Sequence, residues 1–322
     1  MSIKDIAKAL GVSKTTVSRA LSGNGRVSKE TISRVREMAE RTGFAPNASA
    51  RNLAARRTHN IAFTLPLGRP LNASAYFYEC LNGVAAEAAR AGYDVITVEA
   101  REDEIRRIVG SKKADGLILS SKILGDDALS SLAECEMPIV LTGSTAARNV
   151  TQVNYDMRAA FRDLTMRLLE LWSDKTALLL GHSASDVNAI RAAGFTDAAT
   201  SRGLHSPLIL WDMNDPETIF GALTSLRSNS IQNVVCGDDV VCENLLHILE
   251  DSGRFKGAVP NTALRVASLH SSPYLRNFRP DVPAVRMDPD RLGAVACQML
   301  LRRLKGGQVP TSTLLSYNIH MG

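Results

Sequence analysis

Cysteine is sparse, and its spacing makes no pairs. Cys80, Cys135, Cys236, Cys242 and Cys297 are scattered without a CxxC motif. An odd number at wide spacing excludes a disulfide framework and a cysteine zinc site, and free thiols fit a reducing cytoplasm. Six histidines are equally dispersed, so neither a metal site nor a cofactor is expected. Long apolar runs are missing as well. None approaches the ~18 residues that span a bilayer, and MSIKDIAKAL at the start has no uninterrupted apolar stretch of the signal-peptide kind. These absences predict a cytoplasmic protein with no membrane partner. There is no P-loop and no HExxH. GHSAS (181–185) approaches G-x-S-x-G but carries Ser185 where the last glycine belongs. It reads as a strand-end loop, and the chain is not expected to be an enzyme.

Acidic residues are what the first sixty positions lack. They hold twelve Lys/Arg against four Asp/Glu, a net +8. The whole chain is +5, so positions 61–322 carry −3. A small basic head on a mildly acidic body is the footprint of a polyanion binder. The remaining composition, 45% hydrophobic and 22% charged over 322 residues, is that of a globular protein with about two domains.

Within the head, Ser2 and Asp5 form a capping pair for a first helix, with Ile3, Ile6, Ala7 and Leu10 at helical spacing. Gly11 stops it and Val12 plugs the turn. Ser13 caps a second helix, Lys14 to Leu21, with Val17, Ala20 and Leu21 inward and Lys14, Thr15, Ser18 and Arg19 outward. This spacing predicts a helix-turn-helix whose second helix enters a DNA major groove. SGNGRVS (22–28) half-matches a dinucleotide fingerprint, but no strand precedes it and its third glycine is missing. Ser28 caps a third helix, Lys29 to Thr42, with Ile32, Val35, Met38 and Ala39 toward the core and Phe44 closing it. PNASARNLAARRTHN (46–60) predicts a short Ala-rich helix or linker from Asn47, with Leu53 its one bulky apolar residue. Either it frays, or it folds on DNA with Leu53 wedged between base pairs of the minor groove.

Residues 2–57 resemble, nearly position by position, the head and hinge of the LacI/GalR family of bacterial repressors. The resemblance implies that Lys14 and Thr15 are variable base readers and that Arg19 contacts the major groove. It further implies that Ser13, Thr16, Ser18, Ser28 and Asn47 approach phosphates or bases, and that Ala50 and Leu53 form the hinge pair in the minor groove. Family members work as dimers on near-palindromic operators. The domains expected are 1–45, the helix-turn-helix; 46–58, the hinge; and 59–322, the effector-binding and dimerisation domain.

From Asn60 onward strand-like segments alternate with helical ones. NIAFTLPL, YDVITVEA, ADGLILSS and MPIVLTG form one series; TALLLGH, PLILWD, QNVVCGD and LRVASLH form a second. Such alternation predicts an α/β body with parallel sheets covered on both faces. VPAVRMD, a helix over 289–305 and a last strand STLLSYN are expected to tie two lobes together. This architecture is similar to the two-lobed, periplasmic-binding-protein-like effector domain of the same family. Ligands of such sheets sit beyond the carboxyl ends of the strands. By resemblance, Tyr76 and Phe77 offer a stacking face, Arg191 clamps hydroxyls or carboxylates, Asp238 belongs to an Asn-Asp pair whose Asn position is Gly237 here, and His270 with Ser271 replaces a late Asp-Asp. Asp156 matches the aspartate of the lobe crossover. Arg191 and His270 would tolerate an anionic effector such as a sugar acid or phosphosugar.

The function expected is a DNA-binding transcriptional repressor, controlled by a sugar or sugar derivative between the lobes. Its partners are then a near-palindromic double-stranded operator, the effector and a second copy of the chain; the tail SYNIHMG shows no heptad for a tetramer, which stays open. The competing reading is a sugar-binding or hydrolytic α/β protein with an unrelated basic head.

Overall fold

The computed structural model describes residues 2–22, 26–44, 57–66, 75–250, 264–270 and 272–322. Asn47, Ala50 and Leu53, and with them most of the expected hinge, lie outside the described residues, as does Ser271. The chain divides into two compact units, Met1–His59 and Asn60–Gly322.

The first unit carries helices α1 (Ile3–Leu10), α2 (Lys14–Ser22) and α3 (Lys29–Arg41). The Ser2 backbone N–H and hydroxyl both donate to Asp5 Oδ2 at 2.8 Å, closing the start of α1. Gly11, at φ 68°, ends it in the left-handed conformation that glycine adopts without cost. Ser13 Oγ accepts the Thr16 N–H at 3.0 Å and so caps α2. Ser28 does the same for α3 through Thr31, and Thr42 stands at its C-cap rather than within it. Ile6, Ala7, Val17, Ala20, Val35 and Ala39 are buried together, with Val12 and Phe44 packed on them.

The second unit contains two six-stranded sheets. Lobe 1 orders its strands β11-β5-β4-β3-β1-β2, from β1 (Asn60–Leu65), β2 (Asp94–Glu99), β3 (Gly116–Leu119), β4 (Ile139–Thr142), β5 (Thr151–Tyr155) and β11 (Ser312–Leu315). Lobe 2 orders them β12-β10-β9-β8-β6-β7, from β6 (Thr176–Leu179), β7 (Leu208–Leu210), β8 (Asn233–Cys236), β9 (Arg265–Ser268), β10 (Ala284–Arg286) and β12 (Asn318–His320). Every pairing is parallel except β10 with β12. Helices α4 (Ala75–Arg90), α5 (Glu102–Ser111) and α6 (Asp126–Ala133) follow strands of lobe 1. Lobe 2 holds α7 (Met157–Leu171), α8 (Asp186–Ser201), α9 (Pro216–Ser228), α10 (Asp239–Glu250) and α11 (Pro273–Phe278). Helix α12 (Pro289–Leu304) leaves β10 and packs against α4, β3, β4 and β5 of lobe 1.

The chain therefore passes between the lobes three times, after β5, after β10 and between β11 and β12. The Tyr155 hydroxyl binds two of these passages together: it donates to Asp288 O at 2.7 Å and accepts the Asp288 N–H at 2.9 Å. STLLSYN, read as one strand, is split, its first half in lobe 1 and its end in lobe 2. TQVNY, whose residues are mostly polar, forms a strand that apolar patterning does not announce. It is nevertheless buried, and its polar atoms are matched: Asn154 Nδ2 donates to Ser144 Oγ at 2.9 Å, and Thr151 Oγ1 accepts from Arg303 at 3.1 Å.

Candidate nucleic-acid interface and ligand cleft

Helix α2 has an apolar stripe and a polar front. Val17 and Ala20 are fully buried, which fixes the roll of the helix and turns Ser13, Lys14, Thr15, Ser18 and Arg19 outward, all exposed. Thr16 is half-buried, its hydroxyl 2.8 Å from that of Ser13. No acid lies in its first turn, so the positive end of the helix dipole and the Lys14 ammonium add on one side. Ser28 is exposed at the start of α3. The front thus offers hydroxyls and cations to an anionic, hydrogen-bonding surface.

In the second unit, the carboxyl ends of the strands face a cleft between the lobes. Lobe 1 contributes Tyr76 and Phe77 from the first turn of α4, their rings 5.7 Å apart and edge to face. Lobe 2 contributes Arg191 from α8, Asp238 from the turn after β8 and His270 after β9. Tyr76 stands edge-on to His270 at 5.5 Å, so the two lobes meet here. Arg191 Nη1 donates to Asn188 Oδ1 at 2.8 Å and lies 3.6 Å from Asp238 Oδ2. The other Asp238 oxygen accepts the Val241 N–H at 2.9 Å. Four of the five expected side chains therefore converge; Phe77 touches the group through Tyr76.

Polar atoms in this cleft are left without partners. His270 is 3% exposed, yet among the described residues both its ring nitrogens lack a hydrogen bond, as does Arg191 Nε. Buried groups of this kind are costly unless satisfied. Burial, reinforced by Arg276 and Arg191, pushes the His270 imidazole down to about 3, so it is neutral. Burial also lowers Arg191 despite Asp238 and raises Tyr76. A neutral imidazole offers one donor and one acceptor. A Cβ on Gly237 would lie 2.6 Å from the mobile Leu180 Cδ2 and 3.2 Å from Leu179 O, so a larger residue there would require the Leu180 side chain to shift.

Asn188 escaped the reading of the sequence, although its place one turn before Arg191 was the available signal. It is nearly buried, and it donates to His182 O at 3.1 Å. Asp156 caps α7 through the Ala159 N–H at 2.9 Å, an architectural task at the crossover. In GHSAS, Ser183 Oγ donates to the Asp212 carboxylate at 3.2 Å, so its hydroxyl faces an acid rather than an imidazole.

The family model of bacterial regulatory proteins of the lacI family matches residues 2–47. The model of periplasmic binding proteins and sugar binding domain of LacI family matches residues 67–271. The HTH-type transcriptional regulator AglR of Rhizobium meliloti (strain 1021) is 31% identical over 211 residues, 64% of this chain and 59% of that protein. The HTH-type transcriptional regulator pepR1 of Lactobacillus delbrueckii subsp. lactis is 28% identical over 309 residues, 94% of this chain and 90% of that one. Among solved structures, the lac repressor dimer bound to operator and the anti-inducer ONPF superimposes with a TM-score of 0.83 at 18% identity, covering 99% of this chain and 97% of that one.

Proposed function

The chain belongs to the LacI family of bacterial regulatory proteins, and from that membership we propose that it represses transcription by binding a near-palindromic operator as a homodimer, under control of an effector in the interlobe cleft. The observation that carries the reading is the front of α2, acid-free in its first turn, hydroxyl-rich and held outward by Val17 and Ala20. Lys14, Thr15 and Arg19 are its base readers; Ser13, Thr16, Ser18 and Ser28 are its phosphate and base neighbours. Asn47, Ala50 and Leu53 complete the contact from the hinge. The protein works in the cytoplasm, on the nucleoid. Tyr78 and Phe278, 46% and 72% exposed, lie on α4 and α11, the helices that an ion pair joins; a second copy is the occupant that a twofold operator supplies.

The effector proposed is a neutral, polyhydroxylated molecule. Arg191 is already opposed by Asp238 and Asp239, and His270 carries no charge, so an added anion would find no surplus of positive charge. Orphaned donors and an acceptor, with the Tyr76 and Phe77 rings beside them, suit sugar hydroxyls and an apolar ring face. This replaces the expectation of an anionic ligand. Effector and operator then communicate by population shift, each ligand favouring one lobe arrangement, with a coupling of typically ~1–3 kcal/mol.

Operator selection from random duplexes, followed by gel shift, tests the DNA reading. Arg19→Ala should weaken specific binding by about 1–3 kcal/mol and relax the preferred base. Equal losses on specific and random DNA would remove Arg19 from the base readers. Calorimetry with neutral sugars and sugar acids tests the ligand class; binding of the acids alone would overturn it.

A further inference from the structure

Two ion pairs cross the cleft. Lys122, just after β3 in lobe 1, places its Nζ 3.0 Å from Oδ2 of Asp186, the first residue of α8 in lobe 2. Glu79 on α4 of lobe 1 lies 2.6 Å from Arg276 on α11 of lobe 2. Each pair holds the elements that carry cleft residues. Glu79 is one turn beyond Tyr76; Asp186 opens the helix of Asn188 and Arg191; α11 follows His270.

The lobes as they stand bury His270 Nδ1, His270 Nε2 and Arg191 Nε without hydrogen-bond partners among the described residues. Those atoms oppose closure. We propose that Lys122–Asp186 and Glu79–Arg276 are positioning pairs that draw the lobes together before effector binds, and so set effector affinity without touching effector. The first pair is pre-organised. The same Lys122 ammonium is 3.0 Å from Asp126 Oδ1 within its own lobe, and that oxygen is held by the Thr145 hydroxyl at 2.5 Å. Lys122 therefore has its orientation fixed before Asp186 arrives, which reduces the ordering cost of the cross-lobe contact. Asp186 is exposed and the rim is open to salt, so each pair changes the open-to-closed ratio by about two- to fivefold, and both together by on the order of tenfold.

The inference uses the cleft reading only for its consequence, because the test needs neither effector nor DNA. Spin labels at Ser131→Cys on α6 and Ala189→Cys on α8, in a Cys135→Ser background diluted with unlabelled chain, report the interlobe distance by double electron–electron resonance. The parent should give one short-distance population. Lys122→Met combined with Glu79→Gln should transfer a substantial fraction to a longer distance, with the melting temperature little changed. In the Glu79→Gln background, Lys122→Arg, which keeps a cation opposite both Asp186 and Asp126, should keep much of the short-distance population. Superimposable distributions in parent and neutralised variant, or a loss of the short distance with Lys122→Arg equal to that with Lys122→Met, would overturn the proposal. Failure of operator or sugar binding would leave these distances as they are, so the two readings fail separately.

Discussion

His270 shows how one side chain links the cleft to the stability of the fold. Its imidazole is held at about 3 in the folded chain by burial first and by Arg276 and Arg191 next, while an unfolded histidine titrates near ~6.5. The folded state therefore binds fewer protons than the unfolded one between those two values, and stability must fall as pH drops through that window. From pH 7.5 to 5.5 the expected loss from this residue is on the order of 1 kcal/mol. Urea denaturation at the two pH values, on parent and His270→Gln, checks it: the variant should lose less stability by about that amount, and parallel losses would mean that His270 is not held neutral. The residues of the cleft were legible to different degrees. Arg191, Asp238 and His270 came from a resemblance, position by position. Lys122 and Asp186 stand 64 residues apart, Glu79 and Arg276 197 apart, and no local pattern announces a contact that only the meeting of two lobes creates.

Elements were read more fully than contacts, because amphipathic periodicity is local. The three head helices follow from capping and apolar spacing, and eight lobe strands from alternation with helices. Helix α11 went unread since six residues make too few turns for a period, and β5 since its burial rests on matched polar atoms. The α4–α12 packing was equally invisible, although glycine makes it possible. A Cβ on Gly293 would lie 1.9 Å from Cys80 O, and one on Gly83 would lie 1.8 Å from Asp290 O. Backbone meets backbone there, so no side-chain rotation relieves the clash. Gly293→Ala should force the helices apart and destabilise the fold by about 1–3 kcal/mol or more. Gly221 in α9 is the contrast: its Cβ would meet nothing within 4 Å and its φ is not positive. Gly221→Ala should stabilise by roughly 0.4–1 kcal/mol. Thermal melts of both variants decide it; similar shifts of the same sign would contradict the packing argument.

At the scale of the molecule, charge and compactness divide the labour. The unit Asn60–Gly322 has cores of its own and carries −3, against +8 in the head. The −3 body gains little from a polyanion, whereas the head releases counterions when it meets one. Log affinity should then fall linearly with log salt at about −0.9 per phosphate neutralised, and the slope should belong to the head. Expressed alone, residues 60–322 should fold cooperatively and keep effector binding, yet leave operator DNA unshifted at any ionic strength. The full chain should shift it with a steep salt slope. A dimer adds a second requirement. Once one head is bound, the other meets its half-site at a high effective concentration, so a single half-site should bind far more weakly than the palindrome, with a shallower salt slope because fewer phosphates are met. Titrations of full chain and body against palindrome and half-site, at two salt concentrations, separate these outcomes. A body that retains the shift would move DNA recognition out of the head, and equal affinity for palindrome and half-site would remove the second copy from operator binding.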